Sequence, residues 1–291
     1  MANNKDIGRI VAVVGARGGV GTSVVASFIG MGFARMGKTV GILDADVNRP
    51  SIGRYFGIKP QETGCGSEMP VEAANRLKVM SSEILLPPDD RNIIRGGEEA
   101  VGIARRLWTG IDWGCLDYLV LDLPGETDVA FTMIETLPVS GLVLVFSPRE
   151  TPEMVAARAR GIMNATGVKL SGLVENYRML KLPSSPKEIE LIGIGEASIE
   201  ALTRLQSPTA KYLPIFGQSK GDETARAVGV NLLDRIPYDP VLARFCDDGK
   251  ITRYTYGSVL DLADGVGNAV GDETCQGCSA CRGGGTCPLS S

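Results

Sequence analysis

Nine consecutive residues, Gly15-Ala16-Arg17-Gly18-Gly19-Val20-Gly21-Thr22-Ser23, have the composition of a loop that wraps an anion. Glycines let the backbone turn sharply and come close to a ligand. Successive N–H groups can then converge on phosphate oxygens, helped by the N-terminus of a following helix. The phosphate-loop pattern G-x-x-x-x-G-K-[ST] requires Gly at 16 and Lys at 22, but this chain has Ala16 and Thr22. Ser23 keeps the hydroxyl that ligates Mg2+ in such sites, and Arg17 is the cation left in the loop. Three carboxylates, Asp44, Asp46 and Asp122, stand at the ends of apolar runs, where they can hold a metal and polarise an attacking water. Any one of them alone reads as a helix cap or turn former. Their company beside one phosphate loop points to a nucleotide with Mg2+.

A second set of candidate ligands lies at the other end: Cys275, Cys278, Cys281 and Cys287, with spacings x2, x2 and x5 and Pro288 after the last. Closely spaced thiolates can wrap a cubane [4Fe-4S] cluster where the backbone turns sharply, which Gly283-Gly284-Gly285 permits. The bacterial ferredoxin run has x3 as its last spacing, and its fourth cysteine ligates another cluster, so Cys287 is the least determined of the four. A zinc site with all-cysteine ligands is the alternative, although such sites favour two separated C-x2-C pairs. A redox-active tail without metal is the third reading. Cys115 and Cys246 read as small buried hydrophobes, and Cys65 as a loop thiol. The chain has no histidine, which excludes His-based catalysis and His-ligated zinc.

The elements that must position these residues alternate. Ile10–Val14 reads as a strand entering the glycine loop, and Ser23–Met36 as the helix leaving it. Thr39–Leu43 is a second apolar strand, running into Asp44 and Asp46, with a short helix at Ser51–Phe56 and a loop at Gln61–Glu72. Leu77–Met80 predicts a strand, Glu98–Trp108 a helix, and Leu119–Leu121 the strand closing on Asp122. Further strands are expected at Gly141–Phe146, Leu170–Glu175, Leu213–Phe216 and Leu232–Ile236. The helices between and after them are expected at Phe131–Glu135, Pro152–Thr166, Asp222–Val228, Pro240–Cys246 and Tyr256–Asn268. Arg178–Tyr212 is less regular. Short apolar strands alternating with helices predict an α/β fold, a mostly parallel sheet covered on both faces. Residues 1–270 would form this nucleotide-binding domain and 271–291 a Cys-rich metal-binding tail.

Charge and hydropathy narrow the partners. The 291 residues carry a net charge of −4. No dense Lys/Arg run marks a nucleic-acid or anionic-membrane surface. There is no apolar segment of membrane-spanning length and no signal-peptide core near the start. The chain reads as cytoplasmic.

Residues 9–177 and 214–250 resemble the Mrp/ApbC/Nbp-type P-loop proteins. These are ATP-binding iron–sulfur carriers of the deviant Walker A group that also holds MinD, ParA and the nitrogenase iron protein. The resemblance is carried by Arg17-Gly18-Gly19-Val20-Gly21, Leu43-Asp44-Ala45-Asp46 with Pro50-Ser51-Ile52, and Arg95-Gly96. It continues through Asp112-Trp113-Gly114, Leu116-Asp117-Tyr118, Asp122-Leu123-Pro124, Glu175-Asn176 and Ile236-Pro237-Tyr238-Asp239-Pro240. It implies that Asp46 is the water-orienting acid of switch I and that Asp122 lies in switch II beside Mg2+. It further implies that Asn176 reads the adenine edge near the loop Pro237–Asp239. The family forms homodimers that sandwich two nucleotides, with a signature lysine reaching across; Arg17 holds that position here. The implied function is an ATP/ADP-binding iron–sulfur carrier or assembly accessory that serves apo-proteins or a redox complex.

Two departures qualify the implication. Thr22 and Ala16 predict weakened nucleotide binding and slow or absent hydrolysis. The family's paired cysteines shortly after Glu-Asn are missing, since Tyr177–Gly221 contains no cysteine, so the ligands would have moved to the tail. A non-hydrolysing scaffold or regulatory subunit of a redox complex is the alternative. A MinD/ParA-like positioning ATPase is disfavoured by the acidic balance and the lack of a basic C-terminal amphipathic helix.

Overall fold

Strand β1 (Ile7–Gly15) lies in the middle of the sheet and carries the glycine loop at its C-terminal end. The computed structural model describes residues 6–47, 49–59, 69–85, 102, 106–124, 128–193 and 211–271. Helix α1 (Thr22–Arg35) leaves the loop, and β2 (Val40–Asp44) follows it into the short α2 (Ile52–Tyr55). Next come β3 (Val71–Ala74), β4 (Leu77–Ser81), α3 (Ser82–Leu85), β5 (Leu116–Asp122), α4 (Asp128–Thr136), β6 (Gly141–Phe146) and α5 (Pro152–Thr166). The chain then forms β7 (Leu170–Lys181), α6 (Pro186–Ile192), β8 (Tyr212–Leu213) and α7 (Gly221–Val228). It ends in β9 (Leu232–Tyr238), α8 (Pro240–Asp247) and α9 (Val259–Val270).

The strands form one sheet in the order β3-β4-β2-β5-β1-β6-β7-β8, with β9 also paired to β7. All pairings are parallel except β3 with β4 and β7 with β8. Along β1, Ile10, Ala12 and Val14 enter a core shared with α4 and α5, while Val11 and Val13 enter one shared with α1 and α9. A strand buried on both faces reads as a continuous apolar run, which is why β1 and β6 are plain in the sequence. The expected α/β architecture is the one observed. Helices α1 and α9 cross closely: a Cβ on Gly32 would stand 2.5 Å from the Val259 carbonyl oxygen.

Three expectations need correction. The strand expected at Leu213–Phe216 is confined to Tyr212–Leu213, antiparallel on β7, because Pro214 has no N–H to continue the ladder. Residues Val71–Ala74, partly assigned to a loop, form an antiparallel edge strand on β4. Four residues with no apolar alternation give too short a signal to read. The stretch expected to turn irregular at Arg178 instead continues β7 to Lys181, and α6 follows with Ser185 capping the Glu188 N–H. Of the helix expected at Glu98–Trp108, only 102 and 106–108 fall among the described residues, and these are helical. The four tail cysteines lie outside the described residues.

Candidate nucleotide site

The order of strands reverses at β1, which pairs with β5 on one side and β6 on the other. In open α/β sheets a ligand crevice opens at such a point, beyond the strands' C-terminal ends. The backbone of the loop begins there, with the Ala16 N–H donating to the Val145 carbonyl at 2.8 Å. Gly19 and Gly21 take φ values of 79° and 83°, in the left-handed region that favours glycine. Where a Cβ on Gly18 or Gly19 would stand, no heavy atom of the described residues lies within 4 Å, so both face open space. Gly21 is the opposite case: a Cβ there would stand 2.2 Å from Asn176 Nδ2 and 2.7 Å from the Tyr177 hydroxyl.

Asn176 is buried, and its Nδ2 donates to the Val20 carbonyl at 2.8 Å while its Oδ1 accepts from the Tyr177 N–H. It thus braces the phosphate loop from β7. Asn176 and Pro237 line one cleft of about 170 Å³, together with Tyr177 and Tyr238. Those two rings meet edge to face at 5.7 Å. Tyr177, at φ 59°, also lines the larger phosphate cleft of about 560 Å³. Its residue type gives no hint of this; only its place after the Glu-Asn pair does.

Register brings two acids together, because Asp44 on β2 lies directly across from Asp122 on β5. Both are buried. Burial is the main cause that raises the Asp122 carboxyl well above the usual range, reinforced by Asp44 and opposed by a hydrogen bond from the Ser23 hydroxyl. Asp122 Oδ2 has no hydrogen-bond partner among the described residues. A buried, unsatisfied carboxylate oxygen next to a serine hydroxyl fits a divalent cation, the hard oxygen-ligated kind. Asp44 differs. Its Oδ1 accepts from the Asp46 N–H, and its Oδ2 accepts from the N–H groups of Ser51 and Ile52 at 2.8 and 2.9 Å. Burial pushes its pKa up to about 7 in spite of those donors. Asp44 therefore holds the turn into α2, and it is Asp46, half-buried and accepting from the Arg49 N–H, that lines the phosphate cleft with Asp122.

Thr22 opens α1 at the cleft wall, and Ser23 follows it. Arg17 forms an ion pair with Glu150, a residue 133 positions away that sequence reasoning did not single out. Glu150 is 3% exposed, and its other oxygen accepts from both the N–H and the hydroxyl of Ser147. The remaining loop cation is thus held in cis by a buried acid. Among the described residues no group of three His, Cys, Asp or Glu converges as a metal cluster site.

Of the two scattered cysteines described, Cys246 is a free buried thiol, as expected. Cys115 is half-buried and disulfide-bonded, not the free hydrophobe expected. Burial pushes the Cys246 thiol up to about 12. At pH 8 its alkylation by iodoacetamide in the folded chain should run roughly three orders of magnitude slower than that of an ordinary cysteine, whose pKa is about 8.5. Mass spectrometry of labelling with and without urea measures this.

Residues 6–209 match the family described as ParA, the NUBPL iron-transfer P-loop NTPases. An iron-sulfur cluster carrier protein of Saccharolobus solfataricus is 30% identical over 250 residues, 84% of this chain and 76% of the relative. A nucleotide-binding protein of Archaeoglobus fulgidus, solved in complex with ADP, is 29% identical with a TM-score of 0.66, covering 86% of this chain and 90% of its own. The cell division ATPase MinD of Pyrococcus furiosus has the same fold at 14% identity, with a TM-score of 0.58 over 90% of this chain and 99% of its own. No helix among the described residues is long and apolar enough to cross a membrane. By its loop, its strand order and its match over 6–209, the chain belongs to the iron-transfer P-loop NTPase family.

Proposed function

We propose that this protein is an ATP-binding iron–sulfur cluster carrier that works with little or no nucleotide hydrolysis. The observation that carries the reading is a glycine-turned loop at the switch point of the sheet that lacks the lysine of the phosphate-loop pattern and has Ala16 in place of its first glycine. Gly19, Gly21, Ser23 and Asp122 line one cleft, which supports the reading, and Thr22 stands in the same cleft at the position of the pattern's lysine. The N–H groups of Gly18 to Gly21 would wrap the phosphates, and Ser23 and Asp122 would hold Mg2+. The metal supplies neutralising charge to the phosphate oxygens. Asp46 would orient water, and Asn176 and Pro237 would flank the adenine. Two chains would face each other as a homodimer across the nucleotides.

The cargo is a [4Fe-4S] cluster on Cys275, Cys278, Cys281 and Cys287, passed to apo-proteins or to a redox complex. Anaerobic reconstitution of the full chain and of a truncation before Asp272 tests this. The full chain should bind iron and sulfide in equal amounts with a brown chromophore, and the truncation should bind neither. Zinc alone in the full chain, or an unchanged cluster in the truncation, would overturn the assignment to the tail. Thr22 also favours a second reading, a non-hydrolysing scaffold in a redox complex. Nucleotide bound with no phosphate release and no cluster transfer would select it.

A further inference from the structure

Past Asn176, strand β7 takes two more residues than its partner to reach the next pairing: Asn176 lies across from Ile236, and Leu180 from Tyr238. Such bulges re-aim side chains and gather next to binding sites. Here consecutive residues go to different places. Tyr177 lines the phosphate cleft, whereas Arg178 lines a separate cavity of about 370 Å³. That cavity is walled by Tyr212, Tyr254 and Tyr256 and carries two more cations, Lys181 and Arg235.

The charges are unevenly matched. Lys181 Nζ lies 2.7 Å from Asp239, and Arg235 lies 2.5 Å from Asp222 and 3.8 Å from Glu175. Tyr254 and Tyr256 donate their hydroxyls to Asp239 and Asp234 at 2.5 and 3.0 Å. Arg178 is half-buried and has no hydrogen-bond or ion-pair partner among the described residues. It offers five donors and no acceptor, and its charge cannot be shed at ordinary pH. The walls are fixed in advance, because the rings of Tyr254 and Tyr256 both stack on Phe28, with centroids at 6.0 and 4.8 Å. A rigid aromatic pocket with one unsatisfied guanidinium suits a flat apolar body with an anionic head.

We propose that this cavity binds a small aromatic anion, a planar ring bearing a carboxylate or phosphate, with its head on Arg178 and its ring against the tyrosines. The site is distinct from the phosphate cleft and does not rest on the carrier reading.

Phenyl phosphate and benzoate are titrated into the full chain, already saturated with ADP, by ligand-observed NMR. At least one should bind saturably and resist displacement by excess ADP; which one binds tells the phosphate head from the carboxylate. Arg178→Gln should weaken binding by roughly tenfold or more, as loss of a charge-assisted contact does, and Arg178→Lys should restore part of it. Matching thermal melts would show the variants folded. No binding by either probe, equal binding in wild type and Arg178→Gln, or displacement by ADP would overturn the proposal. Displacement would make the cavity part of the nucleotide's own seat, since Pro237 lines both this cavity and the small cleft beside Asn176.

Discussion

Replacing Thr22 with lysine should raise multiple-turnover ATP hydrolysis by about 10²–10³-fold, the scale on which one preorganised donor acts at a transition state. Ser23, Asp46 and Asp122 line the same cleft as residue 22. Residue 22 is the first of α1 and lines the cleft, so a lysine grown from it enters the same space as the phosphates. No other loop cation substitutes for it, since Arg17 is committed to the buried Glu150. Thr22→Met, with similar reach and no charge, should leave the rate at the wild-type level and so separate charge from bulk. Phosphate release under anaerobic conditions is the measurement. A wild-type chain that already turns over as fast as its lysine variant would refute the argument.

Gly21→Ala should lower the stability of the fold by roughly 2–5 kcal/mol, from two additive causes. A side-chain-bearing residue in the left-handed region costs about 1–2 kcal/mol, and Gly21 sits at φ 83°. The new methyl would also stand 2.2 Å from Asn176 Nδ2 and force that amide off the Val20 carbonyl. Leaving such a buried group unpaired costs about 1–3 kcal/mol. Gly18→Ala is the control: no described atom lies within 4 Å of its Cβ position, and its stability should stay within about 0.5 kcal/mol of wild type. Urea denaturation reads both. Nucleotide affinity should fall sharply for Gly21→Ala, because Asn176 braces the loop that holds the phosphates. A double variant with Asn176→Gly should not recover the lost stability, since the strain at residue 21 remains.

What could be read from the chain and what could not divides along physical lines. Gly141–Phe146 and Pro152–Thr166 were legible to the residue. The first is a continuous apolar run, and the second begins with Thr-Pro and ends at a left-handed Gly167, the usual helix signals. The glycine loop and the acids at strand ends were equally plain. The tail of β7 was not, because residues 177–181 are half-exposed and gain their strand geometry only from β8 and β9. Nor can residue type separate Asp44 from Asp46. Both follow one apolar strand, and only the fold turns Asp44 to the backbone of α2 and leaves Asp46 on the cleft. The pairing of Arg17 with Glu150 is a contact between two distant loops, and nothing local announces it.

Arg9, near the start of β1, donates to the carbonyl of Gly271, the residue from which the cysteine tail departs. That hydrogen bond works as a mooring. From Arg9 to Gly15, where the glycine loop starts, β1 rises roughly 20 Å. Gly271 is therefore tied near the end of β1 that lies away from the glycine loop, directly after α9 ends at Val270. Helix α9 in turn crosses α1, the helix that leaves the loop, closely enough that only a glycine fits at residue 32. One strand and one helix crossing thus tie the last described residue of the chain to the elements that carry the loop.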